Sequence, residues 1–410
     1  MPQARGTQIA VNIYDEDTYG SDPSVPSAKR VYVTSFGLKS TQNKLRDETL
    51  SEDRNPKRPG LGNIDVAGPI AMNLAAEDSG IMFKHLLGVV NTFRPVSPPA
   101  APNVTGVTYR HANSGTPVGV GTLAFVNAAT TLAWTANGDT AGAAVDVSAG
   151  GNFTLESGTA GRELYVTVVA GSLPGADQSD ADVTVVDAYK HEITGGALPT
   201  SLMPERDYGS NISGSGRFSK FNGSRIGKAD IDFPQEGFVT TSFDVKGANE
   251  AFASAALDGT ADDYGHTSFT AANITAILEG GGSLTDARAV KLSVDNDLDE
   301  DGHVIGNGGV RTDLVEGFQY ISGTLTARFA NTDLINKAIS DTDSSLHVTL
   351  SRGDGYGTAG NERIVFDVLE LTYARNTPEV SGPKGVIQEL SFEGFTSPMT
   401  VSIYNAVAEL

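Results

Sequence analysis

Ile64-Asp65-Val66-Ala67-Gly68-Pro69-Ile70-Ala71-Met72-Asn73-Leu74 alternates in character from residue to residue. Ile64, Val66, Ile70, Met72 and Leu74 fall on one face, and Asp65, Ala67, Pro69, Ala71 and Asn73 on the other. A period of two is that of a strand with one face buried and one face open. The same pattern recurs at Val239-Thr240-Thr241-Ser242-Phe243-Asp244-Val245 and at Ile321 to Phe329, and a short N-terminal strand runs through Ile9, Val11 and Ile13. Helical spacing is rare. Ala76 to Leu87 reads as a helix with Asp78 as cap and Gly88 as stop, and Thr332 to Ile339 as a second with Leu334, Ile335, Ala338 and Ile339 on one stripe. Gly makes up 47 of 410 residues without a collagen period, which implies many tight turns and short strands.

The formal net charge of −21 argues against a protein that grips nucleic acid or an anionic membrane, since either needs a basic face. Cysteine is absent, which removes disulfides, thiolate metal sites and cysteine nucleophiles together. No stretch approaches 18 consecutive apolar residues, and Met1 to Tyr14 lacks the apolar run of a secretion signal. Gly355-Tyr356-Gly357-Thr358-Ala359-Gly360 has dinucleotide-loop spacing, but Arg363 to Val368 after it reads as a strand where a helix is needed, so a hairpin loop is expected. Asp297-x-Asp299-x-Asp301-Gly302 opens like a calcium loop, yet its twelfth position is Gly308 and not a bidentate Glu. No pair among the six histidines has metal-ligand spacing, and neither a nucleophile elbow nor a phosphate loop is present. The sequence therefore offers no catalytic residue, no metal site and no cofactor site.

Two strand–helix units suggest an internal repeat. Val66-Ala67-Gly68-Pro69-Ile70 can be set over Ile321-Ser322-Gly323-Thr324-Leu325, and Ser242-Phe243-Asp244 over Ser391-Phe392-Glu393. The reading is two related β modules, the first discontinuous (1–96 and 187–250) and the second at 285–410, with 251–284 as a linker. Between the halves of the first lies 97–186, a small β domain entered through Pro98 and Pro99. Arg110 and Arg162 are its only bases, and Trp134, the one tryptophan of the chain, is its expected core anchor.

Thr49-Leu50-Ser51-Glu52-Asp53-Arg54-Asn55-Pro56-Lys57-Arg58-Pro59, leading through Gly62-Asn63 into the opening strand, resembles the long-loop-to-strand segment of tail tube (major tail) proteins of long-tailed bacteriophages. Pro234 to Asp244 and Ser322 to Phe329, with Asp333-Leu334 and Lys337, are similar to later strands of the same family. The resemblance covers roughly 1–96 and 187–410. It implies a mainly β fold of two tandem tail-tube-type sandwich or barrel modules, each with one short helix, plus the inserted domain on the outside. It also implies a structural virion protein, assembled in the host cytoplasm, whose subunits form stacked rings. The genome passes through the tube without specific binding, and tape measure, terminator and distal tail proteins are the other partners. On that reading Asp65, Ala67, Ala71, Asn73, Thr240, Ser242, Asp244, Ser322, Thr324 and Thr326 face the lumen. Residues 39–62 form a long unstructured loop that contacts neighbours through Leu45, Leu50, Arg54, Lys57 and Arg58. Two modules per chain imply three chains in a pseudo-six-fold ring, favoured over six. A competing expectation is a surface β protein that binds glycans through 97–186.

Overall fold

The computed structural model describes the chain apart from residues 1–2, 51–53, 56, 99–103, 116–118, 213, 215, 381, 384 and 397–398, with backbone alone at 179–181. The fold is mainly β with two short helices among the described residues, as the alternation requires. It divides into two compact units. One comprises 1–89, 194–348 and 366–400; the other comprises 90–193, 349–365 and 401–410.

The first unit is organised by one long antiparallel sheet. Its strands are β1 (Lys39–Leu45), β2 (Gly60–Asn73), β3 (Arg225–Phe233), β4 (Thr240–Gly247), β5 (Ala287–Asp295), β6 (Tyr320–Arg328) and β7 (Ile387–Gly394). They are hydrogen-bonded in the order β1-β2-β4-β3-β5-β6-β7. The strands from 39–247 and those from 287–394 thus meet edge to edge at β3 and β5, where Lys228 lies opposite Asp295 and Phe233 opposite Val290. The covered face carries Val66, Ile70, Met72, Phe243, Ile231, Phe233, Leu292, Leu325 and Phe392, all buried. Helix α1 (Gly80–Leu87) lies against it, with Phe83 packed edge-on to Phe243 at 5.5 Å and to Phe366 at 5.7 Å. Beside this runs a five-stranded sheet built on Ala10–Glu16 and Ser201–Asp207.

Three local expectations are corrected. Helix α1 begins at Gly80, not at Ala76, and Asp78 does not cap it. The Asp78 carboxylate is taken by the Tyr32 N–H at 2.9 Å and His266 Nδ1 at 3.0 Å. Gly88 does end α1, at φ 114°, where a Cβ would sit 2.5 Å from the Ala197 carbonyl oxygen. Helix α2 (Asp333–Ser340) buries Leu334, Ile335 and Ala338, but Ile339 stands half-exposed off that stripe. Residues 39–62 are not loop throughout: 39–45 and 60–62 are strand, 46–50, 54–55 and 57–59 carry no strand or helix, and 51–53 and 56 lie outside the described residues. Their two ends are β1 and the start of β2, which pair from Lys39 opposite Ala67 out to Leu45 opposite Gly60 as a projecting ribbon.

In the second unit, a five-stranded sheet including Gly119–Val126, Thr131–Thr135 and Gln178–Val185 faces a second sheet of Val107–Asn113, Gly151–Glu156 and Glu163–Val168. Trp134, Phe125, Leu123, Leu155, Leu164 and Val166 fill the core between them. Gly121 is required there: a Cβ would lie 2.1 Å from the Trp134 ring. The glycines at 353–360 form the turn between Ser344–Ser351 and Arg363–Tyr373, with Gly355, Gly357 and Gly360 all at positive φ.

Candidate functional site

The long sheet leaves its second face open. Paired residues in an antiparallel sheet share a face, so the register can be followed from strand to strand. One row runs Ala71, Ser242, Asp230, Ser293, Ser322, Glu393. The next runs Asn73, Thr240, Asp232, Lys291, Thr324, Ser391. Asp65 and Ala67 on β2, Asp244 on β4 and Thr326 on β6 fall on the same side. All ten residues picked out by alternation therefore lie on one face of one sheet. Between β4 and β7 this face is hollowed into a trough of about 820 Å3. Most of the side chains are short, and the charged ones are Lys228, Asp230, Asp232, Lys291 and Glu393. Ser293 Oγ donates to Asp230 Oδ1 at 2.7 Å, and Lys228 Nζ lies 3.3 Å from the same oxygen. Such exposed pairs are worth only about 0–1 kcal/mol each. Sequence reasoning missed β3, β5 and β7 as contributors, although Val290, Leu292 and Val294 alternate with Lys291, Ser293 and Asp295 as plainly as the strands it chose.

The β1–β2 ribbon stands apart from this face. Leu45 is 59% exposed, Leu50 99% and Leu61 68%, and Arg54, Lys57 and Arg58 are exposed as well. The segment between β5 and β6 behaves differently. It lies down on the ends of β2 and β4. Arg311 is buried: its Nη1 donates to the Gly247 carbonyl at 3.0 Å, Nε to the Glu300 carbonyl at 3.0 Å, and Nη2 pairs with Asp65 Oδ1 at 2.7 Å. The Ile64 N–H donates to the Gly309 carbonyl at 2.8 Å, Leu314 is fully buried, and Glu300 pairs with Lys246 at 3.0 Å. Three acids of 295–316 meet basic partners within the chain: Glu300 with Lys246, and Asp313 and Glu316 with Arg225. Among the described residues no group of three or more acidic or histidine side chains is placed to hold a metal ion, the Asp297–Asp301 run included.

The long sheet thus carries one apolar and one polar face. The family model for phage tail tube proteins matches residues 6–394. The chain belongs to the phage tail tube protein family. None of the curated proteins compared matches it. The family match runs through the long sheet and the small sandwich at 97–186 alike, so the chain is a virion tail component of a structural family, and glycan binding as its principal role is not favoured. No helix among the described residues is long and apolar enough to cross a membrane.

Proposed function

We propose that this tail tube protein polymerises into stacked rings around a lumen lined by the polar face of the long sheet, and that the phage genome passes through that lumen without specific binding. The reading rests on one observation: both modules contribute to a single sheet whose open face is polar, short-chained and concave across the junction. A sheet with open edges is a template for further pairing, and closing it into a barrel removes the edges while placing one face inside. β1 is such an edge at one end of the run. A heterologous, head-to-tail contact that closes makes a ring. With two modules per chain, three chains complete a pseudo-six-fold ring, and the 97–186 domain stands outside it. Asp65, Ala67, Ala71, Asn73, Thr240, Ser242, Asp244, Ser322, Thr324 and Thr326 line the wall, joined by Asp230, Asp232, Ser293, Ser391 and Glu393. A wall in which Asp and Glu exceed Lys does not hold a polymer that carries a negative charge about every 1.7 Å of axis. Tape measure, terminator and distal tail proteins would meet the tube inside and at its ends during assembly in the host cytoplasm.

Electron cryo-microscopy of the purified polymer tests this reading. Three chains per ring and a lumen walled by both modules are expected. Six chains per ring, or a wall made by one module alone, would overturn the symmetry, and a persistent monomer would overturn the tube.

A further inference from the structure

The two modules are not equally finished. In the first, the outer ends of β2 and β4 are covered by the 296–319 segment, with Arg311 and Leu314 as its buried anchors. In the second, the corresponding ends of β6 and β7 are bare. Phe318 is 78% exposed, Tyr320 56% and Phe395 38%, and beside them lies a cavity of about 300 Å3 lined in part by Leu198, Glu316, Gly317, Gln319 and Thr396.

The strand register says what would cover it. Ala71 lies opposite Ser242, and Thr324 lies opposite Ser391. Setting Ser242-Phe243-Asp244 over Ser391-Phe392-Glu393 therefore places Ala71 over Thr324. This is a two-residue shift from the alignment by eye of β2 on β6, and it preserves the face. Counting back equally along both segments brings Arg58 over Arg311 and Leu61 over Leu314, so Arg58-Pro59-Gly60-Leu61 matches Arg311-Thr312-Asp313-Leu314. The same count from Gly247, the last residue of β4, leads to Thr396, two residues past the end of β7. The anchors buried in the second module's segment thus have equivalents in the ribbon, Arg58 and Leu61, and both are exposed.

We infer that residues 57–62 of a second copy of this chain dock on the bare end of the second module, repeating between chains the contact that 296–319 makes within one. Leu61 would enter the cavity as Leu314 enters its own site. The Arg58 guanidinium would donate to backbone carbonyls near Thr396, as Arg311 donates to Gly247. Charge agrees in sign: Lys57 and Arg58 approach a surface bearing Glu370 and Glu393. Apolar anchors buried at the centre of a contact carry most of its energy, while the charges set orientation. The inference rests on the ring reading above and names the contact that links one chain to the next.

Because the chain has no cysteine, paired substitutions give an unambiguous test. Polymer carrying Leu61→Cys and Phe395→Cys, mildly oxidised, is expected to run as a ladder of covalent multimers on denaturing gels. Either single variant should remain monomeric there. Polymer that forms and yields no multimers overturns the contact and leaves the tube reading standing. Should the double variant not assemble, hydrogen exchange on the wild-type protein decides. Peptides over 57–62 and 316–320 must both exchange at least about tenfold more slowly in polymer than in free subunit, a change of about 1.4 kcal/mol, and no change in either overturns the contact. A wild-type protein that never polymerises sinks the ring reading itself.

Discussion

In the Val96–Val185 sandwich, two sheets turn their apolar faces toward each other and seal Trp134, Phe125 and Leu164 between them. In the long sheet only one face is sealed, against Phe83 and its neighbours, while the other presents Ser242, Asp230, Ser293 and Ser322 to solvent. The sandwich buries what it needs within itself. The long sheet is stable on one side and chemically bland on the other, and β1, at one end of the run β1 to β7, buries neither of its faces. The difference separates two jobs: a self-contained domain and, on the proposed assembly, a wall segment that other copies complete.

The two faces of the long sheet should answer mutation very differently. Phe243→Ala removes a fully buried ring and is expected to cost about 3–5 kcal/mol, whereas Ser242→Ala next to it should change stability by no more than about 0.5 kcal/mol. Denaturant unfolding of the unassembled protein measures both. Equal costs would mean that the open face is also a packed core.

Trp134→Ala should destabilise the sandwich by a similar amount, about 3–5 kcal/mol, yet leave polymerisation intact. So should replacing 97–186 with a short Gly/Ser linker from Val96 to Asp187. Negative-stain images showing only insoluble or monomeric protein from that deletion would place the sandwich in the wall.

Arg311→Ala removes three charge-assisted bonds and should cost about 2–3 kcal/mol, felt locally. Hydrogen exchange is expected to rise at Ile64 and across 296–319 and to stay level in the sandwich. A uniform rise throughout would mean that this segment supports the whole fold and does not merely cap one module.

The sandwich should also show its own pH response. Burial, assisted by the Lys190 charge, pushes the His111 imidazole down to about 4. An unfolded histidine titrates near 6.5, so between those values the unfolded chain binds a proton that the folded one refuses. This contribution to stability is whole above about pH 6.5 and is lost as pH falls toward 4. Trp134 fluorescence reports this unit alone, since no other tryptophan exists. His111→Gln should flatten the decline, and a decline of unchanged slope would assign it to carboxylates. The smallest effect on folding is expected from Ser242→Lys or Thr324→Lys, within about 0.5 kcal/mol. The same changes should slow genome release from assembled particles, as read by dye entry into DNA.

Alternation made β2, β4 and β6 legible because each has one sealed and one open face, and the ten polar residues on them do share a side. β1 was illegible for the complementary reason. Lys39-Ser40-Thr41-Gln42-Asn43-Lys44-Leu45 has neither face buried, so no apolar period marks it as a strand. Asp78 sits where caps sit, but side-chain bonding to Tyr32 and His266 took it, and a sequence cannot announce a partner 188 residues away. The alignment of β2 on β6 slipped by two because a shift of two keeps every side chain on its proper face. Only hydrogen-bond register, which fixes Ala71 against Ser242 and Thr324 against Ser391, resolves it.

The composition of β1 bears on how errors are undone. A strand with polar side chains on both faces gains little beyond its backbone bonds from any one pairing, since there is no apolar area to remove from water. On the proposed assembly, a subunit joined wrongly along such a strand would be released quickly, whereas one that also seats Leu61 and Arg58 would be retained. Order in a long polymer would then come from repeated trial, with weak first contacts acting as the proofreader.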